Sequence, residues 1–289
     1  MAKTVDEGFR TLIGWLSPTT TETTTAASHR VSIEVKLKND FGMTSFFRSG
    51  SFGHHTSVSG FSDVDYFAVI PTSKLKTNSS STLQEVRNSL ASRFPNTGVT
   101  VRSPAVVVPF GSTASERHEI TPADFVMQNG NGYNIYDIPD RYAGWMRSSP
   151  SAHNAWVNIQ HTRLDNRVKP LIRLIKSWNY RRAIGIRSFY LELRTTKYCV
   201  GESTIIYSLD VLRVLRLLRD NALSSMQDPV GISGYVYPCT EAWKPEALSR
   251  INTAIGRAEK AWEAESAGKT ADAFFWWDLV FNGYFPSYG

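Results

Sequence analysis

Cysteine is scarce in this sequence, and so are long uninterrupted apolar runs. Among 289 residues there are two cysteines, Cys199 and Cys239, too few for a disulfide framework and not at the spacing of a zinc site. No apolar run approaches the roughly 20 residues that a membrane-spanning helix needs. The opening residues MAKTVDEGFR lack the basic start and apolar core of a secretory signal. We therefore expect a cytoplasmic protein that does not enter a membrane.

Charged residues are also few, at 20% of the chain, and Lys plus Arg exceed Asp plus Glu by 32 to 26. The formal net charge of +6 suits phosphate-rich partners, although many unrelated proteins carry a similar excess. A hydrophobic fraction of 42% and an aromatic fraction of 12% are typical of a folded protein with a substantial core. Disorder is expected at most near the threonine-rich stretch 17–28.

Apolar periodicity predicts a mixed α/β first half and a helical second half. The predicted helices of the first half cover 6–16, 23–38 and 81–93. The predicted strands cover 46–48, 64–70, 99–110 and 117–125, the last two joined by a polar turn at 111–115. The predicted helices of the second half cover 164–178, 188–199, 203–220, 244–267 and 270–280. Pro170 should kink or restart the first of these helices.

This pattern predicts an α+β protein with two lobes. The first, residues 1–160, would be a catalytic lobe that includes the N-terminal helices, and the second, residues 161–289, would be a helical lobe. A cleft between the lobes is the simplest place for an active site.

Two aspartates follow a glycine–serine turn at short spacing. Gly50-Ser51 is followed, after eleven residues, by Asp63-Val64-Asp65. Residues two apart on a strand point to the same face, so Asp63 and Asp65 aim together while Val64 faces the core. Their repulsion is costly without a cation, and Mg²⁺ or Mn²⁺ prefers carboxylate and phosphate oxygens. A lone Asp-x-Asp is usually a solvated turn, but a phosphate-binding turn beside it favours nucleotidyl transfer with two metal ions.

The stretch GSFGHHTSVSGFSDVDYFAVIP, residues 50–71, resembles the signature of the DNA polymerase β-like nucleotidyltransferases. It is similar, more narrowly, to the bacterial cGAS/DncV-like nucleotidyltransferases, or CD-NTases, which make cyclic oligonucleotide signals in anti-phage (CBASS) defence. The resemblance continues through HEITPADF, LIRLIKSWNY, RSFYLE and QDPVGISG and spans the chain from about Phe9 to Pro286. It implies a polymerase β-like lobe with a mixed sheet, followed by a helical lobe.

The resemblance also implies a third metal-binding acid, in a pattern of acid, apolar residue, any residue, Pro, Ala. Glu119 occupies that position in Glu119-Ile120-Thr121-Pro122-Ala123. Glu119 would help hold the catalytic metal and favour deprotonation of the attacking ribose hydroxyl. Many relatives have Asp at this point, and Asp124 is the alternative acid.

Two further residues match family positions that bind the donor triphosphate, Lys176 on the predicted helix and Ser188 at the start of the next. If the family resemblance is left aside, Lys169, Arg173 and Lys176 are expected to form a solvent-exposed stripe of the helix. Ser188 is then expected to be an ordinary N-cap residue. The exposed N–H groups at the N-terminus of the helix that Ser188 begins would also favour binding of an anion such as phosphate. His54 and His55 are expected to be bystanders in an exposed loop.

The implied function is a cyclic di- or trinucleotide synthase that uses NTPs, such as ATP and GTP, and two metal ions, and whose product acts on a separate effector. One alternative is a template-independent tRNA or RNA terminal nucleotidyltransferase, which would need an extended basic surface. Another is a catalytically silent nucleotide sensor, which the acids Asp63, Asp65 and Glu119 disfavour.

The last residues of the printed sequence permit one more hypothesis. Gly283 and Pro286 oppose helix continuation, so the tail should be exposed, with Phe285 anchoring it. Some CD-NTases are conjugated to targets through their C-termini, which implies Gly289 as a conjugation point. A frayed tail that ends in glycine by chance is the favoured alternative.

Overall fold

The computed structural model describes residues 3–17, 20–61, 63–111 and 116–289, with only the backbone described for 20–27. The chain forms two compact units. A helical unit comprises Met1–Ser17, Trp156–Pro229 and Tyr235–Gly289, and an α/β unit comprises Pro18–Ala155 and Val230–Gly234. No described helix has both the length and the apolar composition needed to cross a bilayer.

The α/β unit is built on a mixed sheet of seven described strands. They are β1 (Ser45–Arg48), β2 (Val64–Val69), β3 (Thr100–Arg102), β4 (Ala105–Phe110), β5 (Glu116–Gln128), β6 (Asn134–Pro139) and β7 (Trp145–Ser148). Their order is β1-β2-β5-β4-β3, with β6 and β7 continuing from the far end of β5. Strands β2 and β5 run parallel, and the other pairs are antiparallel. The central β2–β5 pair carries the acidic motifs.

Strand β2 is buried on both faces after Asp65, which explains its apolar sequence from Tyr66 to Val69. On one face, Val64 and Tyr66 join the main core of the unit, which includes residues of α2 (Thr20–Phe41) and α4 (Ser79–Arg93). On the other face, Phe67 and Val69 join a smaller cluster with Tyr136 of β6. We call these the core face and the acidic face of the sheet, because Asp65 shares the second face with Phe67.

The predicted strand 99–110 is wrong as a single element. The chain reverses at Ser103-Pro104, so that β3 and β4 form an antiparallel hairpin with Val101 opposite Val106. Proline has no N–H to donate and is confined to edges and turns of a sheet, which explains the break. Strands β6 and β7 and helix α5 (Pro150–Arg163) were not predicted. Residues 112–115 of the predicted turn lie outside the described part of the chain.

The helical unit contains α1 (Val5–Leu16), α6 (Val168–Arg181), α7 (Ser188–Cys199), α8 (Tyr207–Asp220), α9 (Lys244–Ser266) and α10 (Thr270–Val280), and α5 runs into it from the other unit. A short hairpin pairs β8 (Met226–Gln227) with β9 (Tyr235–Val236). Helix α6 begins at Val168, after Asp165 and Asn166, which have positive φ. The predicted kink or restart at Pro170 is wrong, because Pro170 lies in the first turn of α6, where its missing N–H is not needed.

The first helix packs with the helices of the second half of the chain. A capping box between Thr4 and Glu7 begins α1. Its apolar face is fully buried, and the Phe9 ring lies 4.9 Å from Trp277 and 5.1 Å from Phe285. The compact units therefore differ from the predicted lobes 1–160 and 161–289 at this helix, because its aromatic contacts are with α10 and the chain end.

Candidate active site

Three carboxylates lie on the acidic face of the α/β unit. Asp63 directly precedes β2, and Asp65 is its second residue. The parallel register places Asp65 opposite Glu119 of β5. Because side chains alternate along a strand, Val64 and its register partner His118 face the core, while the three acids share the other face. The structure thus places the three acids that the sequence predicted as a set on one face of the sheet.

Two arginines lie beside these acids. Arg117 Nε is 3.4 Å from Asp63 Oδ1, and Arg117 Nη2 is 3.7 Å from Glu119 Oε1. Arg102 Nη1 of β3 is 3.5 Å from the same Glu119 oxygen. These separations exceed those of ordinary N–H···O hydrogen bonds, 2.7–3.2 Å. The arginines therefore offset negative charge without satisfying the oxygens.

Among the three acids, Glu119 has the least favourable surroundings for a negative charge. Burial raises the pKa of its carboxyl, and the negative charge of Asp63 raises it further, against the opposing effect of Arg102 and Arg117. Its Oε1 is buried and has no hydrogen-bond partner among the described residues. A buried carboxylate oxygen without a donor, next to a second carboxylate, is the arrangement that a divalent cation relieves.

Gly50 fits tightly against Asp65. Its φ is +53°, and a Cβ at this position would lie only 2.0 Å from Asp65 Oδ2. The Ser49 N–H donates to the Asp65 carbonyl at 2.9 Å, which ties the two segments together. Helix α3 (Gly50–Gly53) begins here, and the N–H groups of a first helical turn have no partners within the helix. Glycine at position 50 is therefore needed for both the turn and the position of the Asp65 carboxylate.

The segment that contains α3 and the two histidines after it is partly buried. Ser51 is half-buried, and its carbonyl accepts the Thr56 N–H at 2.8 Å. His54 is buried, and its Nε2 lies 3.1 Å from the Pro150 carbonyl oxygen. The expectation that His54 is an exposed bystander is wrong, because its ring packs inside the unit. His55 is exposed, as expected.

Asp124, the alternative third acid, is not part of the cluster. It is five residues from Glu119, roughly 16 Å along an extended strand. There it pairs in register with Asp137 of β6 and accepts a 2.8 Å hydrogen bond from Thr72 Oγ1. The register of β2 and β5 thus selects Glu119 as the neighbour of Asp65.

In the helical unit, α6 carries a buried cationic stripe. Lys176 is 1% exposed and Lys169 is 8% exposed. Lys176 Nζ lies 2.6 Å from Glu192 Oε2 of α7, and burial lowers the pKa of Lys169 while Glu192 opposes that shift. Burial also lowers the pKa of Arg173. The alternative that this stripe is a solvated face is therefore wrong.

Ser188 is the first residue of α7. Its hydroxyl lies 2.6 Å from the Tyr180 hydroxyl. Arg187, with extended backbone angles, is the N-cap residue, and no side chain caps this helix. The alternative role of Ser188 as an ordinary N-cap is therefore wrong.

The sequence analysis missed the two arginines. Arg117 is two residues before Glu119 and so shares its face of β5, a signal that strand periodicity alone provides. Arg102 carries no such signal, since it reaches Glu119 only through the β3–β4 hairpin and the β4–β5 pairing.

A comparison with protein families matches residues 3–160 to the Second Messenger Oligonucleotide or Dinucleotide Synthetase (SMODS) domain. The chain belongs to this family. The matched residues include all three carboxylates and the Gly50-Ser51 turn. The SMODS chain is also 28% identical over 174 residues to a probable cyclic nucleotide synthase of Bacillus cereus (strain VD146). The match covers 59% of this chain and about half, 52%, of that relative.

Solved structures resemble the SMODS chain over nearly its whole length. Vibrio cholerae DncV, a cyclic AMP-GMP synthase solved with the linear intermediate pppA(3′,5′)pG, has a TM-score of 0.76 at 13% identity, covering 96% of this chain and 94% of its own. CdnC of E. coli MS115-1, solved with ATP, has a TM-score of 0.72 at 16% identity, covering 94% and 95%. At these identities the likeness concerns the fold, a mixed sheet with helices as in CD-NTases.

Proposed function

We propose that this chain is a cyclic oligonucleotide synthase that joins NTPs through ribose hydroxyls with release of pyrophosphate. The observation that carries the proposal is the juxtaposition of Asp63, Asp65 and Glu119 on one face, with the buried Glu119 Oε1 lacking a hydrogen-bond donor among the described residues. Membership of the SMODS family supports the same reaction class.

Asp63, Asp65 and Glu119 would hold two Mg²⁺ or Mn²⁺ ions. The residues fit such ions, since all three offer hard carboxylate oxygens, and burial and the charge of Asp63, which raise the pKa of Glu119, are effects that a bound cation would offset. When bound, the ions supply Lewis-acid stabilisation of the phosphoryl oxygens and of the leaving pyrophosphate.

The protein residues position the reactants in this proposal. The Gly50 turn and the Ser51 hydroxyl face the substrate phosphates, and Glu119 favours loss of the proton from the attacking ribose hydroxyl. The ribose oxygen forms a bond to the α-phosphorus, the bond from that phosphorus to the β-phosphate oxygen breaks, and pyrophosphate leaves with the bonding electrons. A second transfer within the re-bound linear product closes the ring.

Lys176 and Ser188 are proposed to bind the donor triphosphate. The α6 stripe supports this role, because Lys169, Arg173 and Lys176 lie on one helix, and burial lowers the pKa of Lys169 and of Arg173. A phosphate anion beside these side chains would stabilise their charged forms.

The proposed product is a cyclic di- or trinucleotide second messenger for anti-phage defence that acts on a separate effector. The DncV structure with a linear intermediate shows that the fold accommodates a partly joined product in that protein. The proposed place of action is the cytoplasm.

Purified protein incubated with each labelled NTP and Mg²⁺ tests the proposal. We expect pyrophosphate release and a product that resists phosphatase but is cut by a phosphodiesterase that accepts cyclic substrates. Asp63→Asn together with Asp65→Asn should bring the rate to background, a loss of several kcal/mol of transition-state stabilisation, while the far-UV circular dichroism stays unchanged.

Three other results of these assays would contradict the proposal. A phosphatase-sensitive product that grows on an added RNA would indicate a terminal nucleotidyltransferase. Tight NTP binding without pyrophosphate release would indicate a silent sensor. Transfer near the wild-type rate by the double variant would remove the metal-binding role of the aspartates.

Conjugation through Gly289 is a separate part of the proposal. The last three residues are exposed, and Phe285 is buried against Phe274 and Phe281, as the sequence predicted for an anchored tail. Mass spectrometry of the protein co-expressed with its neighbouring genes tests this part. If Gly289 never appears in an amide or thioester bond while the enzyme is active, the conjugation proposal is wrong.

A further inference from the structure

The core face of β5 carries a second cluster of polar side chains, directly behind the acids. Glu116 and His118 alternate with Arg117 and Glu119, so they point away from the acidic face. His29 of α2 meets them from the helix layer. We call His29, Glu116 and His118 the imidazole cluster. No step of the proposed transfer uses it.

The ligand atoms of the imidazole cluster converge. His29 Nδ1 lies 3.0 Å from both Glu116 carboxylate oxygens, and His118 Nε2 lies 2.5 Å from Glu116 Oε1. The three ligand atoms all lie within 4.8 Å of one another. Tetrahedral coordination of zinc by nitrogen and oxygen requires ligand separations of roughly 3.3–3.5 Å. Small side-chain shifts would therefore place all three around one ion.

Both imidazoles are held in place by aromatic rings. The His29 ring stacks on Phe110 at 3.8 Å and 1°. The His118 ring stacks on Tyr66 at 5.6 Å and meets Phe110 edge-on. Buried His118 has no hydrogen-bond partner for Nδ1 among the described residues, so its polar contact is made through Nε2 toward Glu116. Rings fixed in this way lose little freedom when they coordinate an ion.

The three side chains of the imidazole cluster differ in solvent exposure, so an ion can reach the cluster from its more exposed side. The His118 side chain is 0% exposed, Glu116 is 14% exposed and His29 is 34% exposed. Solvent thus reaches the cluster from the His29 side. A water molecule can complete four-coordination there, as in other zinc sites with three protein ligands.

We propose that His29, Glu116 and His118 form a binding site for one divalent transition-metal ion, with Zn²⁺ as the best match. Two imidazoles and one carboxylate favour Zn²⁺ and similar ions over Mg²⁺, which prefers all-oxygen ligands. β5 would then serve two metal sites of different chemistry, one on each face. The ion would fasten α2 to β5 next to Glu119 and so stabilise the α/β unit.

Equilibrium dialysis of the full chain against Zn²⁺ in excess Mg²⁺, with the metal content measured by mass spectrometry, tests the site. We expect about one tightly bound Zn²⁺ per chain. His29→Gln removes a ligand from a half-exposed position and should weaken binding by more than about tenfold, since even loss of an outer-shell partner typically costs 10- to 100-fold. His55→Gln, at an exposed histidine of the same unit, should bind Zn²⁺ like the wild type.

Thermal unfolding supplies a second readout. Zn²⁺ should raise the unfolding temperature of the wild type and of His55→Gln, but not of His29→Gln, because an ion that binds only the folded state stabilises it. The Asp63→Asn/Asp65→Asn variant should keep the Zn²⁺ and its stabilisation, which separates this site from the catalytic acids and from the proposed function.

Three results would overturn the proposal. Absence of Zn²⁺ binding by the wild type would make the cluster a hydrogen-bonded group in which Glu116 accepts from both rings. Equal binding by His29→Gln and the wild type would place the ion elsewhere. Loss of Zn²⁺ in the double aspartate variant would place it at the catalytic acids.

Discussion

Gly50 leaves no room for a side chain beside the Asp65 carboxylate. A methyl group at this position would lie 2.0 Å from Asp65 Oδ2 and 2.6 Å from Cγ. We expect Gly50→Ala to push the carboxylate aside and lower kcat by about 10²-fold, the typical effect of a 1 Å misplacement in an active site. Steady-state kinetics of pyrophosphate release will measure the loss.

A matched control separates this clash from backbone strain. Gly42 has a similar positive φ of +65°, but an added Cβ there has no neighbour within 4 Å. Both alanine variants should lose about 1–2 kcal/mol of stability from the left-handed backbone, while only Gly50→Ala should lose activity. An equal loss of activity in both variants would show that strain, and not the clash with Asp65, is responsible.

Burial and the nearby charge of Asp63 disfavour the negative charge of Glu119 and raise its pKa. Glu119→Gln removes that charge at nearly constant shape, so we expect an unchanged or higher unfolding temperature together with a kcat lower by about 10²- to 10⁴-fold, the usual contribution of a general base. Asp124→Asn, which alters the contact with Thr72 Oγ1, should change kcat by less than about tenfold. If Asp124→Asn lowered kcat more than Glu119→Gln, Asp124 and not Glu119 would be the third acid.

Lys176 of α6 forms a buried ion pair with Glu192 of α7. Lys176→Ala would remove the ammonium that lies 2.6 Å from Glu192 Oε2, in an ion pair whose side chains are 1% and 3% exposed. We expect a loss of about 3–5 kcal/mol in the free energy of unfolding, as for other buried pairs broken on one side. Chemical denaturation of the variant measures this loss.

The paired substitution Lys176→Met with Glu192→Gln isolates the role in binding. It should recover most of the lost stability, because both partners of the buried ion pair are then neutral. If Lys176 binds the donor triphosphate, the KM for NTP should remain raised while kcat changes less. A wild-type KM in this stable variant would restrict Lys176 to its ion pair with Glu192.

At the scale of the whole molecule, acid stability should depend on His161. Burial, with the nearby charges of Lys169 and Arg173, lowers the pKa of His161 from 6.5 to about 4. Its Nδ1 also accepts the backbone N–H of Lys169 at 3.3 Å, which a proton on that nitrogen would break. Between these two pKa values the unfolded chain binds more protons than the folded one, so stability falls as the pH drops from about 6.5 to about 4.

We expect His161→Gln to flatten this pH dependence. Unfolding temperatures of the variant and the wild type, measured between pH 4 and 7, should converge as the pH falls, because the variant has no imidazole to protonate. The exposed His55→Gln variant should follow the wild type. An unchanged slope in His161→Gln would show that another group controls the acid sensitivity.

Local sequence determined much of the molecule. Helices α7 and α10 begin and end where their apolar periodicity and flanking residues predicted, and β2 follows from an apolar run closed by Pro71. That Asp63 and Asp65 point to the same face followed from the two-residue period of a strand alone. The resemblance to a known family identified Glu119, which local patterns do not distinguish from Asp124.

Only the tertiary structure decided which distant residues meet. The parallel register of β2 and β5 places Glu119, and not Asp124, beside Asp65. Arg102 of β3 reaches Glu119 of β5 past the intervening strand β4. His29 of α2 contacts His118, which lies 89 residues later in the chain. Periodicity predicts the face on which a side chain lies, because it is a property of one element. It does not predict the partner on that face, because strand register and helix packing depend on burial of the whole core.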